Sequence, residues 1–201
     1  MLSNISRRSV LSGTAATLFA AACATPALAL SESAARNLVE TVVGEINRVI
    51  ESGKSEAAML RDFEAIFVRY ADVPIMAQYA LGNDGRSATA AQKSAFTDAF
   101  QGYISRKYGK QFREFIGGRV EVQSARQIKA GYEIRSVAYL QGEEPVNVTF
   151  LVSDRSGRDK LFNIFVEGVN LLLTERTEIG AMLDKRRGNI DQLVADLRNA
   201  G

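Results

Sequence analysis

The sequence lacks histidine and tryptophan, and it has only one cysteine and three prolines among 201 residues. The absence of histidine excludes Ser-His and Cys-His catalytic pairs as well as histidine-ligated metal sites. A single cysteine excludes a disulfide within the chain, so the stability of the fold has to come from packing. With 46% hydrophobic and 24% charged residues, the composition is otherwise that of one ordinary globular domain.

The sequence also has little net charge. Its formal charge is +2, from 25 basic and 23 acidic residues. Arg7 and Arg8 are the only charged residues among the first 29, so the remainder carries 23 charges of each sign. Nucleic-acid binding depends on clustered Lys and Arg, and a neutral domain therefore predicts no nucleic-acid partner.

Residues 1–29 are typical of a signal peptide. Arg7 and Arg8 precede an apolar run of small residues (10–24), which is too short and too polar for a transmembrane helix. Ala27-Leu28-Ala29 then fits an A-x-A cleavage site. The arginine pair resembles a twin-arginine signal, and a general secretory signal is the alternative. We therefore expect export to the periplasm.

Cys23 offers a second interpretation of the same segment. Ala20-Ala21-Ala22-Cys23 has the outline of a lipobox, but it lacks the usual Leu three positions before the Cys. A cleavage site follows six residues later, and cleavage after Ala29 removes Cys23 with the signal. The expected mature chain is one domain over residues 30–201.

Apolar residues three and four positions apart predict helices in the first half and at the end of this domain. A continuous aromatic stripe extends the fourth helix to residue 116, and we expect bends or a break at Gly102 and Gly109. The predicted helices cover residues 32–52, 55–70, 74–81, 89–116 and 171–185, with a last one opened by Asn189.

Between the helices, apolar residues alternate with polar ones, which predicts strands. Short, turn-rich connections favour sequential antiparallel pairing of these strands. The predicted fold class is α+β, with a helical layer packed on a four-stranded antiparallel sheet. The expected strands begin at Val120, Tyr132, Val146 and Leu161, and the last extends to Val169.

The charged residues do not form a recognisable catalytic or metal site. Asp72 precedes Pro74 and is explained as the cap of a helix. Glu167 lies within an apolar predicted strand and would need a partner such as Arg86. No metal-ligand spacing and no phosphate-binding glycine loop is visible. We therefore predict no catalytic residues, no metal and no enzymatic activity.

Three segments and their order resemble the MlaC family, also called the toluene-tolerance family. The first is the helical block Phe67–Ala77, continued by Leu81-Gly82 and Arg86–Phe96. The second is Val166–Leu171, which is similar to the E-G-V-S-L segment of that family. The last of them, Gly188–Leu193, is similar to the start of the C-terminal helix of that family. Gly85 stands where the family usually has an aromatic residue, and Arg158-Asp159 where it often has Gly-Trp. The resemblance extends over roughly residues 35–199.

The resemblance implies a periplasmic carrier that holds a phospholipid by its acyl chains in an apolar cavity between sheet and helices. The implied partners are an inner-membrane ABC-transporter lipid complex and an outer-membrane lipoprotein complex, and the protein is expected to be a monomer without cofactor. The residues expected to line the cavity are Met76, Tyr79, Phe96, Phe100, Tyr103 and Ile104 from the helices, and Val148, Phe150, Ile164 and Val169 from the sheet.

Two alternatives remain open from the sequence. A helical layer on a curved sheet also suits a cone-shaped isomerase or dehydratase, in which Glu167 or Asp72 would line the pocket beside a Tyr. Ten Phe and six Tyr could instead fill an ordinary solid core, which would indicate a protein-interaction module.

Overall fold

The computed structural model describes residues 30–110 and 118–201 and confirms the α+β fold. Residues 1–29 lie outside the described part of the chain, and so do Phe112, Phe115 and Ile116 of the predicted fourth helix. The helices are α1 (Glu32–Ile50), α2 (Glu56–Tyr70), α3 (Val73–Leu81), α4 (Ala90–Gly109), α5 (Leu171–Lys185) and α6 (Ile190–Asn199), with a 3-10 turn at Gly82–Arg86.

Side-chain caps mark the starts of most of these helices. The Ser31 hydroxyl accepts a hydrogen bond from the Ala34 amide at the start of α1. Thr89 and Gln92 form a reciprocal capping box on α4. Asp72 stands at the N-cap position of α3, as predicted, but its side chain makes no capping hydrogen bond. Helix α4 runs through Gly102 without a break and ends at Gly109.

The sheet is antiparallel throughout, in the sequential order β1-β2-β3-β4-β5. It has one strand more than predicted, because Glu167 and Gly168 both adopt positive φ and turn the chain. Val169 therefore leaves the fourth strand and begins a two-residue fifth one. The strands are β1 (Arg119–Ile128), β2 (Gly131–Tyr139), β3 (Val146–Ser153), β4 (Lys160–Val166) and β5 (Val169–Asn170).

The buried residues form two hydrophobic cores. Helices α1 and α2 pack with the sheet in the first, which we call the sheet core, and its members include Val39, Val42, Phe63, Ile134, Phe150 and Val152. Helices α3 to α6 pack with one another in the second, which we call the helical core, and its members include Ala77, Phe96, Phe100, Ile179, Leu193 and Leu197.

A short link joins the two cores at the junction of α2 and α3. The Asp72 amide donates to the Leu161 carbonyl at 2.7 Å, and Ala71 forms an isolated parallel bridge with Leu161. On the other side, Asn163 of β4 donates to the Asn170 side chain and accepts from the Leu172 amide. These bonds attach α3 and the start of α5 to β4.

Gly131 is the position at which the sheet tolerates substitution least. Its φ is +138°, and a Cβ at this position would collide with the backbone carbonyl oxygen of Val152 on β3. Gly142 also has positive φ, +79°, but no atom lies within 4 Å of where its Cβ would stand.

We predict that Gly131→Ala lowers the free energy of unfolding by at least about 3 kcal/mol. The unfavourable φ of the alanine and its collision with the Val152 carbonyl oxygen would both destabilise the folded state. The control Gly142→Ala should lower it by only about 1 kcal/mol, since only the backbone conformation is unfavourable. Urea denaturation of both variants measures the difference. Equal losses would contradict the close approach of Gly131 to β3.

Candidate functional site

A cavity of about 440 Å³ lies between the sheet core and the helical core. Its wall is almost entirely apolar and is built from α1, α2, α3, α4, α5 and the sheet. The volume lies within the range of about 300–1,000 Å³ that is typical of ligand pockets. A solid-core interaction module, one of the alternatives that the sequence left open, would not contain such a space.

Six of the ten residues predicted to line a cavity do lie on its wall. Helices α3 and α4 contribute three of them, and strands β3 and β4 contribute the other three. In chain order these residues are Met76, Phe100, Ile104, Val148, Phe150 and Ile164.

The other four predicted residues lie elsewhere. Phe96 is buried in the helical core, where its ring stacks on Phe100 at 6.0 Å between centroids. Tyr103 is also buried there, and its hydroxyl donates to Glu178. Tyr79 is 39% exposed with Arg176 over its ring, and Val169 is 54% exposed after the turn that ends β4.

Sequence reasoning missed the contribution of α1 and α2 to the wall. These helices present Val42, Val43, Phe63 and Ile66 to the cavity. The same residues form the apolar stripes that predicted the two helices, and a stripe that faces a cavity has the same spacing as one that faces a core. No signal in the sequence separates these two cases.

One polar cluster interrupts the apolar wall where α4 meets α5. Glu175 of α5 is only 1% exposed, and its Oε1 accepts from Lys107 Nζ at 2.7 Å and from the Tyr108 hydroxyl at 2.6 Å. Lys107 also donates to Glu178 Oε2 at 2.6 Å, and Tyr103 donates to the same oxygen at 3.2 Å. Glu175 and Tyr108 both line the cavity.

The charges of this cluster are fixed by burial and by its hydrogen bonds. Burial by itself lowers the pKa of Lys107, but hydrogen bonds to Glu175 and Glu178 outweigh it and raise this pKa above its ordinary value. Burial, reinforced by the charge of Glu175, raises the pKa of Tyr103 to about 12. Burial and the hydrogen bond to Glu175 also raise the pKa of Tyr108. At neutral pH the cluster therefore holds an ammonium ion and two neutral phenols.

The acids proposed for an enzymatic alternative do not lie in the cavity. Glu167 is exposed in the turn after β4 and accepts from the Asn147 amide, so its expected pairing with Arg86 is wrong. Asp72 is buried but does not line the cavity. Glu175 and Tyr108 are instead the acid and the Tyr that line the cavity within hydrogen-bond distance of each other. A phenol whose pKa is raised is, however, poorly matched to proton transfer near pH 7.

Residues 30–110 and 118–201 offer neither a metal site nor a helix that could span a membrane. These residues contain no group of three or more acidic or cysteine side chains placed to hold a metal ion. None of the helices in the same residues is both long enough and apolar enough to span a bilayer.

Comparison with known proteins identifies the family. Residues 37–199 match the family described as MlaC protein, which covers nearly all of the domain. The chain belongs to the MlaC family. The resemblance inferred from the sequence segments is therefore confirmed, and MlaC membership favours a binding protein over an enzyme.

A solved structure has the same fold as this MlaC-family domain. It is a phospholipid-binding protein from Ralstonia solanacearum in complex with a phospholipid. The two structures align with a TM-score of 0.69 over 81% of this chain and 98% of that chain, at 22% sequence identity.

We predict that Lys107→Met lowers the free energy of unfolding by about 3 kcal/mol, because it leaves the buried Glu175 carboxylate without its cation. The control is Lys54→Met, which removes an exposed pair with Asp62 at 2.6 Å and should change stability by less than about 1 kcal/mol. Urea denaturation checks both variants. A loss at Lys107 no larger than that at Lys54 would show that the cluster contributes little to stability.

Proposed function

We propose that this protein binds a phospholipid by its acyl chains in the cavity and carries it across the periplasm. The apolar cavity of about 440 Å³ between two separate cores is the observation on which the proposal rests. Membership of the MlaC family supports it, and so does the shared fold with a Ralstonia protein that was solved with a phospholipid. In this proposal the phospholipid is cargo, and no cofactor takes part.

Retention of such a cargo is favourable, and release is the difficult step. Each buried methylene contributes about 0.8 kcal/mol, so roughly thirty methylene and methyl groups would contribute on the order of 20 kcal/mol before the costs of binding. The described residues offer no chemical step that could drive release. We therefore infer that a partner opens the cavity by binding an open conformation better than the closed one.

The proposed partners are an inner-membrane ABC-transporter lipid complex and an outer-membrane lipoprotein complex. A carrier between two membranes has to meet a donor on one side and an acceptor on the other, and family membership supports these two. The proposed carrier acts as a monomer, because five helices and the sheet of one chain line the cavity.

Cargo should also stabilise the protein. An empty cavity costs about 24 cal/mol per Å³, which for 440 Å³ is on the order of 10 kcal/mol. That figure is comparable to the whole free energy of unfolding of a typical domain, about 5–15 kcal/mol. Bound lipid replaces the lost contacts and adds the free energy of binding to the folded state.

We propose, too, that the protein is exported and cleaved after Ala29. Leu30 is half-buried against the sheet core, and its backbone nitrogen lies 3.0 Å from Asp154 Oδ2. Cleavage of the peptide bond between Ala29 and Leu30 would turn the Leu30 amide into an α-ammonium group. Its hydrogen bond to Asp154 would then be charge-assisted and stronger. The contact therefore suits a chain that begins at Leu30.

We predict that the exported protein carries about one phospholipid per chain, detectable by native mass spectrometry and by organic extraction. Ile164→Glu places a carboxylate on the cavity wall and should lower the lipid occupancy at least about tenfold, because acyl chains cannot solvate it. The control Val169→Glu adds the same charge outside the cavity and should leave the occupancy unchanged. A lipid-free wild-type protein would refute the carrier proposal.

We predict an intact mass that corresponds to a chain beginning at Leu30. If the twin-arginine route is used, replacing Arg7 and Arg8 by Lys should leave unprocessed precursor in the cell, because that route requires the arginine pair. Normal processing of this variant would point to the general secretory route. A mature chain that begins at Cys23 would point to lipidation instead.

A further inference from the structure

An arginine on the surface between α3 and α5 has no acidic partner among the residues that the structure describes. Arg176 of α5 donates through Nη1 to the Tyr79 carbonyl of α3 at 3.2 Å, and its guanidinium lies 5.1 Å from the centre of the Tyr79 ring. It also lies against Gly82, where a Cβ would stand only 3.1 Å from Nη2. These contacts fix the position of the guanidinium and leave its charge unpaired.

The side chains around Arg176 are large, apolar and exposed. Leu173 is 49% exposed, and it lies on the same face of α5 because it precedes Arg176 by three positions. The Tyr79 ring beneath the guanidinium is exposed as well. Tyr and Arg are the residue types that dominate the free energy of binding in many protein interfaces. An arginine held on a tyrosine beside an exposed leucine is therefore typical of the centre of a binding surface.

Gly180 continues the same face of α5, four positions after Arg176. Glycine weakens the interior of a helix relative to alanine. No atom of the described residues lies within 4 Å of where its Cβ would stand, so packing within the protein does not require a glycine here. The close approach of another chain does require a small residue. We call Tyr79, Leu173, Arg176 and Gly180 the α3–α5 patch.

The α3–α5 patch lies on the outer surface of two helices that also line the cavity. Met76 of α3 and Leu172 of α5 are both on the cavity wall. The two helices are attached to β4 by hydrogen bonds at their starts, from the Asp72 amide to the Leu161 carbonyl and from the Leu172 amide to Asn163. A protein bound to the patch would therefore touch two elements of the wall directly.

We propose that the α3–α5 patch is the docking site for a protein segment that carries a carboxylate among apolar side chains. The carboxylate pairs with Arg176, the apolar side chains cover Tyr79 and Leu173, and the backbone of the segment passes over Gly180. The proposal rests on the carrier function and assigns the patch to a protein of one of the two membrane complexes proposed above.

The charge of the patch favours a protein over a lipid bilayer as the occupant. Attraction to an anionic membrane depends on clusters of basic residues. The patch has one cation, and residues 30–201 carry 23 charges of each sign. A guanidinium has five N–H donors, of which Tyr79 uses one, so Arg176 can still form two hydrogen bonds to one carboxylate.

Binding of the two membrane complexes, each purified in detergent, to the immobilised exported protein tests the proposal. Biolayer interferometry measures the dissociation constants. We expect at least one complex to bind the wild type, and Arg176→Glu to weaken this binding at least about tenfold, because it places a like charge opposite the carboxylate of the partner. The control Arg155→Glu makes the same change of charge in the exposed turn between β3 and β4 and should leave the affinity unchanged.

A second pair of variants tests the close approach without a change of charge. Gly180→Leu places a large side chain where the segment would pass, and it should weaken binding at least about tenfold without lowering the melting temperature, since leucine favours a helix. The control is Gly44→Leu in α1, where a Cβ would make an ordinary contact with Arg48 at 3.8 Å. This control should bind like the wild type. If Arg176→Glu does not fold, Gly180→Leu decides alone.

The outcomes separate this proposal from the carrier function. If the wild type carries a phospholipid but binds neither complex, or if both test variants bind like their controls, the docking site is overturned and lipid binding stands. Binding to phosphatidylglycerol vesicles in place of the complexes, lost in Arg176→Glu, would assign the patch to a membrane and also overturn the proposal. A wild type that carries no phospholipid and binds neither complex refutes the carrier function, and this proposal fails with it.

Discussion

The separation of the two hydrophobic cores is the constraint on which the rest of the structure depends. Helix α1 packs on the sheet and α2 packs on α1 and α4, whereas α3 to α6 pack mainly on one another. Each core thus has its own partners, and the surfaces that face the space between them are left apolar and unpaired. Protein interiors are normally close-packed, so an apolar ligand that filled a gap of this size would stabilise the fold.

The two cores are joined by packing of α2 on α4, with Phe67 of α2 against the helical core, and by short backbone and polar contacts. The polar contacts are those of Leu161 with the α2–α3 junction and of Asn163 with the start of α5. Such contacts fix the distance between the elements without filling the space. They can also be broken and remade with less rearrangement than a packed core, which would suit the opening that the proposed carrier function requires.

Of the residues predicted to line the cavity, some lie on its wall, whereas others share the expected face of their element but lie too far along it, or beyond its end. Phe96, Phe100 and Ile104 share one face of α4, yet Phe96 lies beyond the end of the cavity and is buried in the helical core. Val169 continues the apolar pattern of β4, but the positive φ of Glu167 and Gly168 turns it outward. A hydrophobic pattern specifies which face is buried, and not what covers that face.

The sequence alone determined the local elements, the fold class, the family resemblance and the absence of histidine chemistry, because caps, periodicity and composition act over a few residues. Only the tertiary structure decided where the cavity lies, that α1 and α2 line it, and that Glu175 is a buried acid. In the sequence Glu175 is one more acidic residue of a helix, whereas its two donors stand 68 and 67 positions away. Whether a charge is buried depends on which distant elements pack together, and a local sequence pattern does not contain that information.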